Sequence, residues 1–340
     1  MIEVKTDPDS DSQLVSGLHR INTLHLPESR ARRMMELRLQ HHFIRYLSTP
    51  FRQPKSRPVT AWSVQIPSLA LEHDNVQYLM FLCSASHIVR KVPDHRDVAT
   101  ARRMYRMLAL REQQKAVAKL SIENCDAVCF SAMLLLIDAY TEIWSRVTDP
   151  YTPPIEWLKI GSGVGAVLAA ATKILSEHCR SSSTAALEPP PKVMLIKNAP
   201  PVLTREGLFS KENLTPFLDL LDSSIELADA ETREAYENAL SYVGSVHYAV
   251  CNGEPIYYIA RRLVSFAIFM PRKFIELVEE GRPRALVILA HYFAVMTHAQ
   301  CVWWIGDSPR KEIRAIQRAL PAEWQDLMRW PMVAAGLSPV

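Results

Sequence analysis

A run of 22 residues without Asp, Glu, Lys or Arg, from Ala285 to Gly306, most constrains how this 340-residue chain can fold. Such a run must be kept from water over most of its surface, either by lipid or by a protein core. Its length would permit a membrane span, but His291, Thr297 and Gln300 interrupt it, and unpaired polar groups are costly in lipid. The sequence therefore predicts a central core helix and no membrane span.

The rest of the chain alternates apolar segments of helical spacing with proline-rich breaks. Glycine is scarce, at 10 residues, and the 23 prolines gather where one helix must end and the next begin. Long apolar helices are predicted from Pro67 to about Lys91 and from Asn124 to Arg146. No alternation of period two persists along the chain. These patterns predict an all-α fold, an irregular multi-helix bundle with essentially no sheet.

The domain organisation is predicted from the distribution of these breaks. Residues 1–28 form a polar amino-terminal leader that we expect to be disordered, and residues 29–335 form a single helical domain. Residues 180–201 contain the sequence SSSTAALEPPP and a Pro-Pro pair, which predicts a mobile linker. The helices on either side are too apolar to stand apart, so the linker does not separate two independent domains.

Cysteine usage and charge indicate the compartment and the class of partner. None of the six cysteines forms a Cys-x-x-Cys pair, so we expect all of them to be reduced, small and buried, as in the nucleus or cytoplasm. The net charge of +3 is too small for a nucleic-acid footprint over the whole chain. Residues 1–120 are more basic, with 19 Lys and Arg against 11 Asp and Glu. Such a segment could face an acidic partner or nucleic acid, but scattered Arg on solvated helix faces is the favoured interpretation.

A glycine motif and a histidine pair are the main candidates for chemistry. Gly161-Ser162-Gly163-Val164-Gly165 resembles a dinucleotide-binding turn, but it follows a helical rather than a strand pattern, so close helix packing is predicted. His291 and His298 lie seven residues apart without a nearby third ligand, so both are expected to be buried and hydrogen-bonded. No metal, cofactor or recognised catalytic motif is predicted.

Several separated segments resemble the regulatory domain of fungal zinc-cluster transcription factors, most closely the sterol uptake control protein branch. Towards the amino terminus these segments are LRLQHHFIRYLS, then WSVQIP from Trp62, then LMFLCSASHIVRK. In the middle, Trp157-Leu158 is followed by Gly161. Towards the carboxy terminus they are FMPRKFIELVEEGRPRALVILAHYFAVM, Trp303-Trp304-Ile305-Gly306, and the stretch from Trp324 to Pro331. The resemblance spans about residues 35 to 331.

The sequence departs from this family in one respect. Members usually begin with six cysteines in two Cys-x2-Cys-x6-Cys halves that bind two zinc ions and contact DNA, and no such pattern occurs in this sequence. This argues against direct DNA binding by the chain. The expected protein is therefore a regulator-type helical domain without its own zinc cluster.

The resemblance implies a hydrophobic pocket among the carboxy-terminal helices, as in the sterol-sensing relatives. The first hypothesis is accordingly a regulator of transcription, nuclear or cytoplasmic, that senses a small apolar ligand, sterol-like or terpenoid, or contacts a protein partner. The residues expected near the ligand are Trp157, Gly161, His291, Met296, Trp303 and Trp304.

Two alternatives belong to other classes. The same helical fold could serve as a secondary-metabolite enzyme, a cyclase or isomerase, with His291 or His298 as the proton carrier. It could also be a scaffold with an empty core and no ligand, or the product of a truncated gene model. An enzyme is the less favoured hypothesis because the sequence contains no catalytic motif that we recognise.

Overall fold

The computed structural model describes residues 29–48, 61–181, 205–221 and 225–338, and no strand occurs within these ranges, which confirms the all-α prediction. The chain divides into two compact units, residues 1–38 and 39–340, with the boundary inside the first helix. The described α-helices are α1 (Arg30–His42), α2 (Ile66–Leu69), α3 (Asp74–Lys91), α4 (Arg96–Ala118), α5 (Cys125–Ser145), α6 (Ile155–Ser181), α7 (Arg205–Leu208), α8 (Ala230–Cys251), α9 (Ile256–Phe269), α10 (Arg272–Glu279), α11 (Pro283–Met296), α12 (Ser308–Ala319) and α13 (Arg329–Ala334).

Shorter helical segments connect these elements. Wide π turns occupy Phe43–Leu47 and Ala61–Gln65, and 3₁₀ segments occupy Lys211–Leu221, Ile225–Ala228, Thr297–Ala299, Ala322–Trp324 and Asp326–Met328. The predicted leader at residues 1–28 lies outside the described residues. Residues 182–201 of the predicted linker also lie outside the described residues, whereas residues 180 and 181 form the end of α6.

The uncharged run forms the centre of the second unit. Every residue of α11 from Arg284 to Met296 is buried, and α8, α10, α12 and α13 pack around it. Pro283 occupies its first turn, where a missing N–H leaves no intrahelical bond unmade. The predicted core position is therefore confirmed, but the helix stops at Met296. The rest of the run forms a 3₁₀ segment and turns that end at Gly306, whose φ is +51°.

The predicted helix from Pro67 to Lys91 is interrupted in the structure. It begins as the single turn α2 and breaks at residues 70–73, and α3 starts at Asp74. His73 has extended backbone angles, φ −130° and ψ 108°, and Asp74 places a carboxylate in the first turn of α3. An acidic side chain there favours a new helix start because the amino-terminal end of a helix carries partial positive charge. The second predicted long helix, Asn124 to Arg146, matches α5 within a residue at each end.

A buried ion network joins α3, α4 and α5. The carboxylate of Asp138 in α5 is fully buried and accepts a hydrogen bond of 2.8 Å from Ser86 in α3. Arg102 and Arg106 of α4 place guanidinium nitrogens 3.7 and 3.8 Å from its two oxygens. Burial raises the pKa of Asp138, while the two guanidinium groups favour its charged form. The three helices are therefore held in one register, since sliding any of them would leave a buried charge unpaired.

The prediction that all six cysteines are buried is wrong for two of them. Cys83, Cys125 and Cys129 are buried free thiols, whereas Cys251 and Cys301 are exposed. Cys251 ends α8, and Cys301 lies in the turns that follow α11 and its 3₁₀ segment. The side chain of Cys179 lies outside the described residues.

Two described helices are long and apolar enough to cross a membrane by length and composition alone. In Cys125–Ser145, 83% of the apolar window is buried inside the protein, as expected for a core helix. In Ile155–His178 only 22% of the window is buried. The outward face of α6 carries mainly small side chains, such as Ala166, Ala169 and Ala170.

The glycines near the start of α6 allow close contact with α9. A Cβ atom on Gly161 would overlap the backbone and side chain of Ala267, and one on Gly165 would lie 3.0 Å from the carbonyl oxygen of Ile268. Gly163 faces open space. The interpretation of this glycine motif as a helix-packing site is thus supported at two of its three positions.

We expect Gly161→Ala to destabilise the fold by about 1–3 kcal/mol, because α6 and α9 must move apart to accept the methyl group. Gly163→Ala is the matched control and should stabilise α6 by about 0.5–1 kcal/mol, since alanine restricts the unfolded chain. Urea-induced unfolding, followed by circular dichroism, measures both. Equal shifts of the two midpoints in the same direction would contradict this packing.

Candidate functional site

Five aromatic side chains from five parts of the second unit meet beside α11. This central aromatic cluster consists of Tyr140 (α5), Trp157 (α6), Phe266 (α9), Tyr292 (α11) and Trp304 (the turn after α11), all buried. The ring centroid of Tyr140 lies 5.0 Å from that of Trp157 and 4.9 Å from that of Trp304. Phe266 stacks on Tyr292 at 3.9 Å. Rings in such contact bury much apolar area while leaving a few polar atoms at fixed positions.

The two tyrosine hydroxyls of the cluster form a closed polar group. The Oη atoms of Tyr140 and Tyr292 are 2.8 Å apart, and they lie 2.7 and 2.9 Å from the carbonyl oxygen of Leu263. One of the two hydroxyls donates to the Leu263 carbonyl oxygen. The other donates either to the same carbonyl oxygen or to the oxygen of the first hydroxyl. Burial raises the pKa of both phenols above its ordinary value, so both stay protonated at neutral pH. They act as hydrogen-bonding groups rather than as bases.

The tryptophans of this region hold indole N–H groups without acceptors. The Nε1 atoms of Trp303 and Trp304 are buried, and neither has a hydrogen-bond partner among the described residues. Trp157 Nε1 interacts with the Tyr140 oxygen but does not reach hydrogen-bond geometry. A buried unsatisfied N–H costs about 1–3 kcal/mol, so native proteins rarely keep several of them close in sequence and space without a reason.

His291 belongs to a second group, the carboxy-terminal histidine cluster, which consists of Phe217, His247, His291 and Trp330. The His291 ring stacks on Trp330 at 5.2 Å, and Phe217 meets it edge-on at 5.4 Å. Its Nδ1–H donates to the carbonyl oxygen of Val287 at 2.9 Å, which fixes the tautomer. Burial lowers the pKa of His291 to about 4, so the ring is neutral at neutral pH.

The second histidine of the predicted pair is not buried. His298 is exposed, because α11 ends at Met296 and the chain continues as a 3₁₀ segment. It lies close enough to His247 to help burial lower the pKa of that ring. The expectation that His291 and His298 are both buried is therefore wrong for His298. No group of three or more His, Cys, Asp or Glu side chains that could hold a metal ion occurs in the described part of the chain.

Trp303 points away from the central aromatic cluster towards α3. Its ring lies 5.2 Å from that of His87, which in turn is hydrogen-bonded to His42 at 2.8 Å. Arg90 donates to the Trp303 carbonyl, and its guanidinium carbon lies 3.6 Å from the ring centroid of Trp144. Burial and neighbouring cationic groups lower the pKa of His42 and His87 to about 4.

The six residues expected near a ligand thus occupy different places. Trp157 and Trp304 meet at Tyr140, whereas His291 and Trp303 lie in separate aromatic groups. Gly161 packs against α9, and Met296 is buried at the end of α11. Tyr140 was not among the predicted residues, and its hydroxyl partner Tyr292 is 152 residues away along the chain. No local pattern reveals a contact of that range.

Comparison with known proteins confirms the resemblance drawn from the motifs, although no family model matches the chain. The chain is similar to the Zn(2)-C6 fungal-type transcription factor afumD of Aspergillus fumigatus, with 29% identity over 76% of the chain and 66% of that protein. A Zn(2)-C6 fungal-type transcription factor of Gibberella zeae is 25% identical over 90% of the chain and 62% of its own length. Sterol uptake control protein 2 of Candida albicans is 22% identical over 77% of the chain.

The relatives are therefore fungal transcription factors and sterol uptake control proteins. The matched region spans less than two thirds of the first two relatives and 36% and 27% of the two sterol uptake control proteins. The chain accordingly corresponds to one region of such proteins.

The buried neutral state of His291 predicts a specific dependence of stability on pH. An unfolded chain protonates this histidine near its ordinary pKa of 6.5, whereas the folded chain excludes the proton until about pH 4. The stabilisation is complete above pH 6.5 and is lost as the pH falls towards 4, by roughly 3 kcal/mol.

We expect the free energy of unfolding of His291→Gln to fall less steeply than that of the unsubstituted chain between pH 6.5 and 4.5. Urea unfolding at several pH values measures the slope, and His298→Gln serves as the control because that ring is exposed. Parallel pH profiles for the His291 variant and the unsubstituted chain would show that His291 is not held neutral by burial.

Proposed function

We propose that the chain is the ligand-sensing helical domain of a fungal transcription regulator that acts in the nucleus. In this proposal the ligand is a small, mainly apolar molecule that carries an oxygen acceptor, such as a sterol or a terpenoid alcohol. The domain binds this molecule beside α11, and ligand binding changes its contact with a protein partner.

The relatives support the class of function. Transcription factors of two fungi and two sterol uptake control proteins match more than three quarters of the chain. Their names associate this type of sequence with transcription and, in two cases, with sterol uptake. Regulation of transcription by a helical domain that responds to a ligand is consistent with the association with transcription and with the association with sterol uptake.

The observation that carries the ligand proposal is the set of indole donors without acceptors. The rings of Trp157 and Trp304 lie 5.0 and 4.9 Å from that of Tyr140. The buried Nε1–H of Trp304 has no acceptor among the described residues, and that of Trp157 has only the Tyr140 oxygen, outside hydrogen-bond geometry. A ligand hydroxyl or carbonyl oxygen that reached them would relieve the cost of burying these donors, and the surrounding aromatic faces would cover a flat apolar ring system. Selectivity would come from the oxygen, since apolar contacts alone discriminate weakly.

The electrostatics of the same groups favour binding without turnover. A general acid or base works best when its pKa lies near the operating pH. Burial raises the pKa of Tyr140 and Tyr292 and lowers the pKa of His291 to about 4, so all three keep one protonation state at neutral pH. These observations support a sensor over a cyclase or isomerase on the same fold.

The test is thermal unfolding of the purified chain with three additives: a 3β-hydroxysterol, a diterpenoid alcohol, and the corresponding sterane hydrocarbon without oxygen. We expect at least one of the oxygenated additives to raise Tm by several degrees at saturation and the hydrocarbon to raise it less. Trp304→Phe keeps an aromatic ring but removes the N–H donor, so binding should weaken by roughly 10-fold.

Trp324→Phe is the matched control, because its indole stacks on Arg284, 5.2 Å from the guanidinium carbon, outside the central aromatic cluster. It should leave ligand affinity unchanged. Where Trp304→Phe lowers the stability of the free chain, quenching of tryptophan fluorescence by the ligand at low temperature measures affinity independently. Equal stabilisation by the hydrocarbon, no stabilisation by any additive, or conversion of the terpenoid to a product would overturn the proposal.

A further inference from the structure

Helix α4 has a second apolar stripe that faces away from the protein core. Its inner face is buried through Val98, Tyr105 and Leu108. On the outer face, Met107 is 64% exposed, Leu110 is 38% exposed and Val117 is 37% exposed. A surface helix with one core-facing stripe normally carries polar residues on its other side, so exposed apolar side chains in a row require an explanation.

The spacing of this outer face is that of a helix-docking seam. We define the outer stripe as Arg103, Met107, Leu110, Gln114 and Val117, which follow one another at intervals of four, three, four and three residues. This 3.5-residue repeat is the pattern by which one helix packs along another. A partner strand or loop would not match it, because the stripe follows the helix axis for about four turns.

The charges beside the outer stripe are mainly positive. Helix α4 contains six Arg and Lys residues and two Asp and Glu residues. Arg102 and Arg106 face the buried network around Asp138, and Arg111 and Lys115 share the single carboxylate of Glu112. Arg103 donates to the neutral hydroxyl of Thr100 at 3.3 Å, and among the described residues no carboxylate forms an ion pair with it.

These charges decide between the helical partners that could cover the stripe. A second copy of the chain would bring together two faces that carry the same positive side chains, Arg103, Arg111 and Lys115, and like charges across a helix pair are destabilising. A partner helix with apolar residues at the same 3.5-residue spacing and acidic residues beside them would gain both apolar burial and charge complementarity.

We propose that the outer stripe of α4 is a docking site for an acidic amphipathic helix of a protein partner. The side chains of Met107, Leu110 and Val117 bury the apolar face of that helix, and Arg103, Arg111 and Lys115 pair with its flanking carboxylates. The flexible side chain of Met107 accommodates partners of differing shape. This inference takes its biological role, as the regulator's partner contact, from the proposed function, but the docking itself does not depend on ligand binding.

The test uses fluorescence anisotropy of the full chain with a labelled 21-residue synthetic helix. The peptide carries Leu at the seam positions and Glu beside them, and a second peptide replaces every Glu with Lys. We expect the acidic peptide to bind with a Kd on the order of 10–100 μM and the lysine peptide to bind at least 10-fold more weakly. Raising the salt concentration should weaken the binding of the acidic peptide several-fold.

The double variant Met107→Ser with Leu110→Ser should weaken acidic-peptide binding at least 10-fold. Both side chains are exposed, so the fold should survive, and unchanged circular dichroism would confirm this. Val147→Ser is the matched control, since Val147 is an exposed apolar residue, 75% exposed, outside the outer stripe. It should bind the peptide as the unsubstituted chain does.

Three results would overturn the inference. They are equal binding of the acidic and lysine peptides, unchanged peptide binding by the double variant, or a dimer of the unsubstituted chain in sedimentation velocity where the double variant is a monomer. The last result would assign the stripe to a second copy of the chain. Thermal stabilisation by the hydroxysterol, measured on the same preparations, separates the proposals. If the hydroxysterol stabilises the chain but the acidic peptide does not bind, only the docking site is contradicted. If the peptide binds but the hydroxysterol does not stabilise the chain, only the ligand proposal is contradicted.

Discussion

Burial of the uncharged helix α11 is the constraint on which the rest of the structure depends. A helix without charged side chains beyond its first turn cannot present a face to water without a large hydrophobic cost, so other elements must cover it on every side. Helices α8, α10, α12 and α13 provide this cover. Its Tyr292 and His291 place polar atoms inside the core, and these atoms are satisfied by Leu263 and Val287. The same burial that makes the core continuous also fixes the positions of the aromatic rings.

The physical properties of this interior favour a binding role. Phenols with raised pKa and an imidazole with lowered pKa each keep one protonation state at neutral pH and can orient hydrogen bonds. Indole N–H groups without acceptors lie next to them. A protein that uses such groups to recognise one oxygen atom in an apolar molecule needs no catalytic residue. The regulatory effect of such a protein depends instead on which surface the ligand makes available to a partner.

Much of the fold could be predicted from the sequence because it depends on local periodicity. The bounds of α5 follow from apolar spacing, the start of α11 follows from Pro283 and the uncharged run, and the close packing at Gly161 follows from a glycine in a helical pattern. The early end of α11 was missed because apolar spacing does not fix where a helix ends, and the break before Asp74 was missed although an acidic residue at a helix start is a local signal.

The candidate site was predictable only in part. Single residues such as Trp157 and Trp304 could be named from the resemblance, but their meeting at Tyr140 depends on contacts between elements more than a hundred residues apart. The exposure of His298 follows from where α11 ends, which helical spacing alone does not fix. The buried pairing of Asp138 with α4 was missed for the same reason, since a carboxylate in an apolar helix gives no sign of its partner.

The most direct measurement is a nitrogen-15 NMR spectrum of the indole N–H groups of the seven tryptophans, recorded before and after addition of the hydroxysterol. We expect the Trp157 and Trp304 resonances, assigned from Trp→Phe variants, to move downfield as the Trp304 proton acquires an acceptor and the Trp157 proton exchanges its weak contact with Tyr140 for a hydrogen bond, while those of Trp144 and Trp324 stay in place. Unchanged Trp157 and Trp304 resonances at saturating ligand would contradict this expectation.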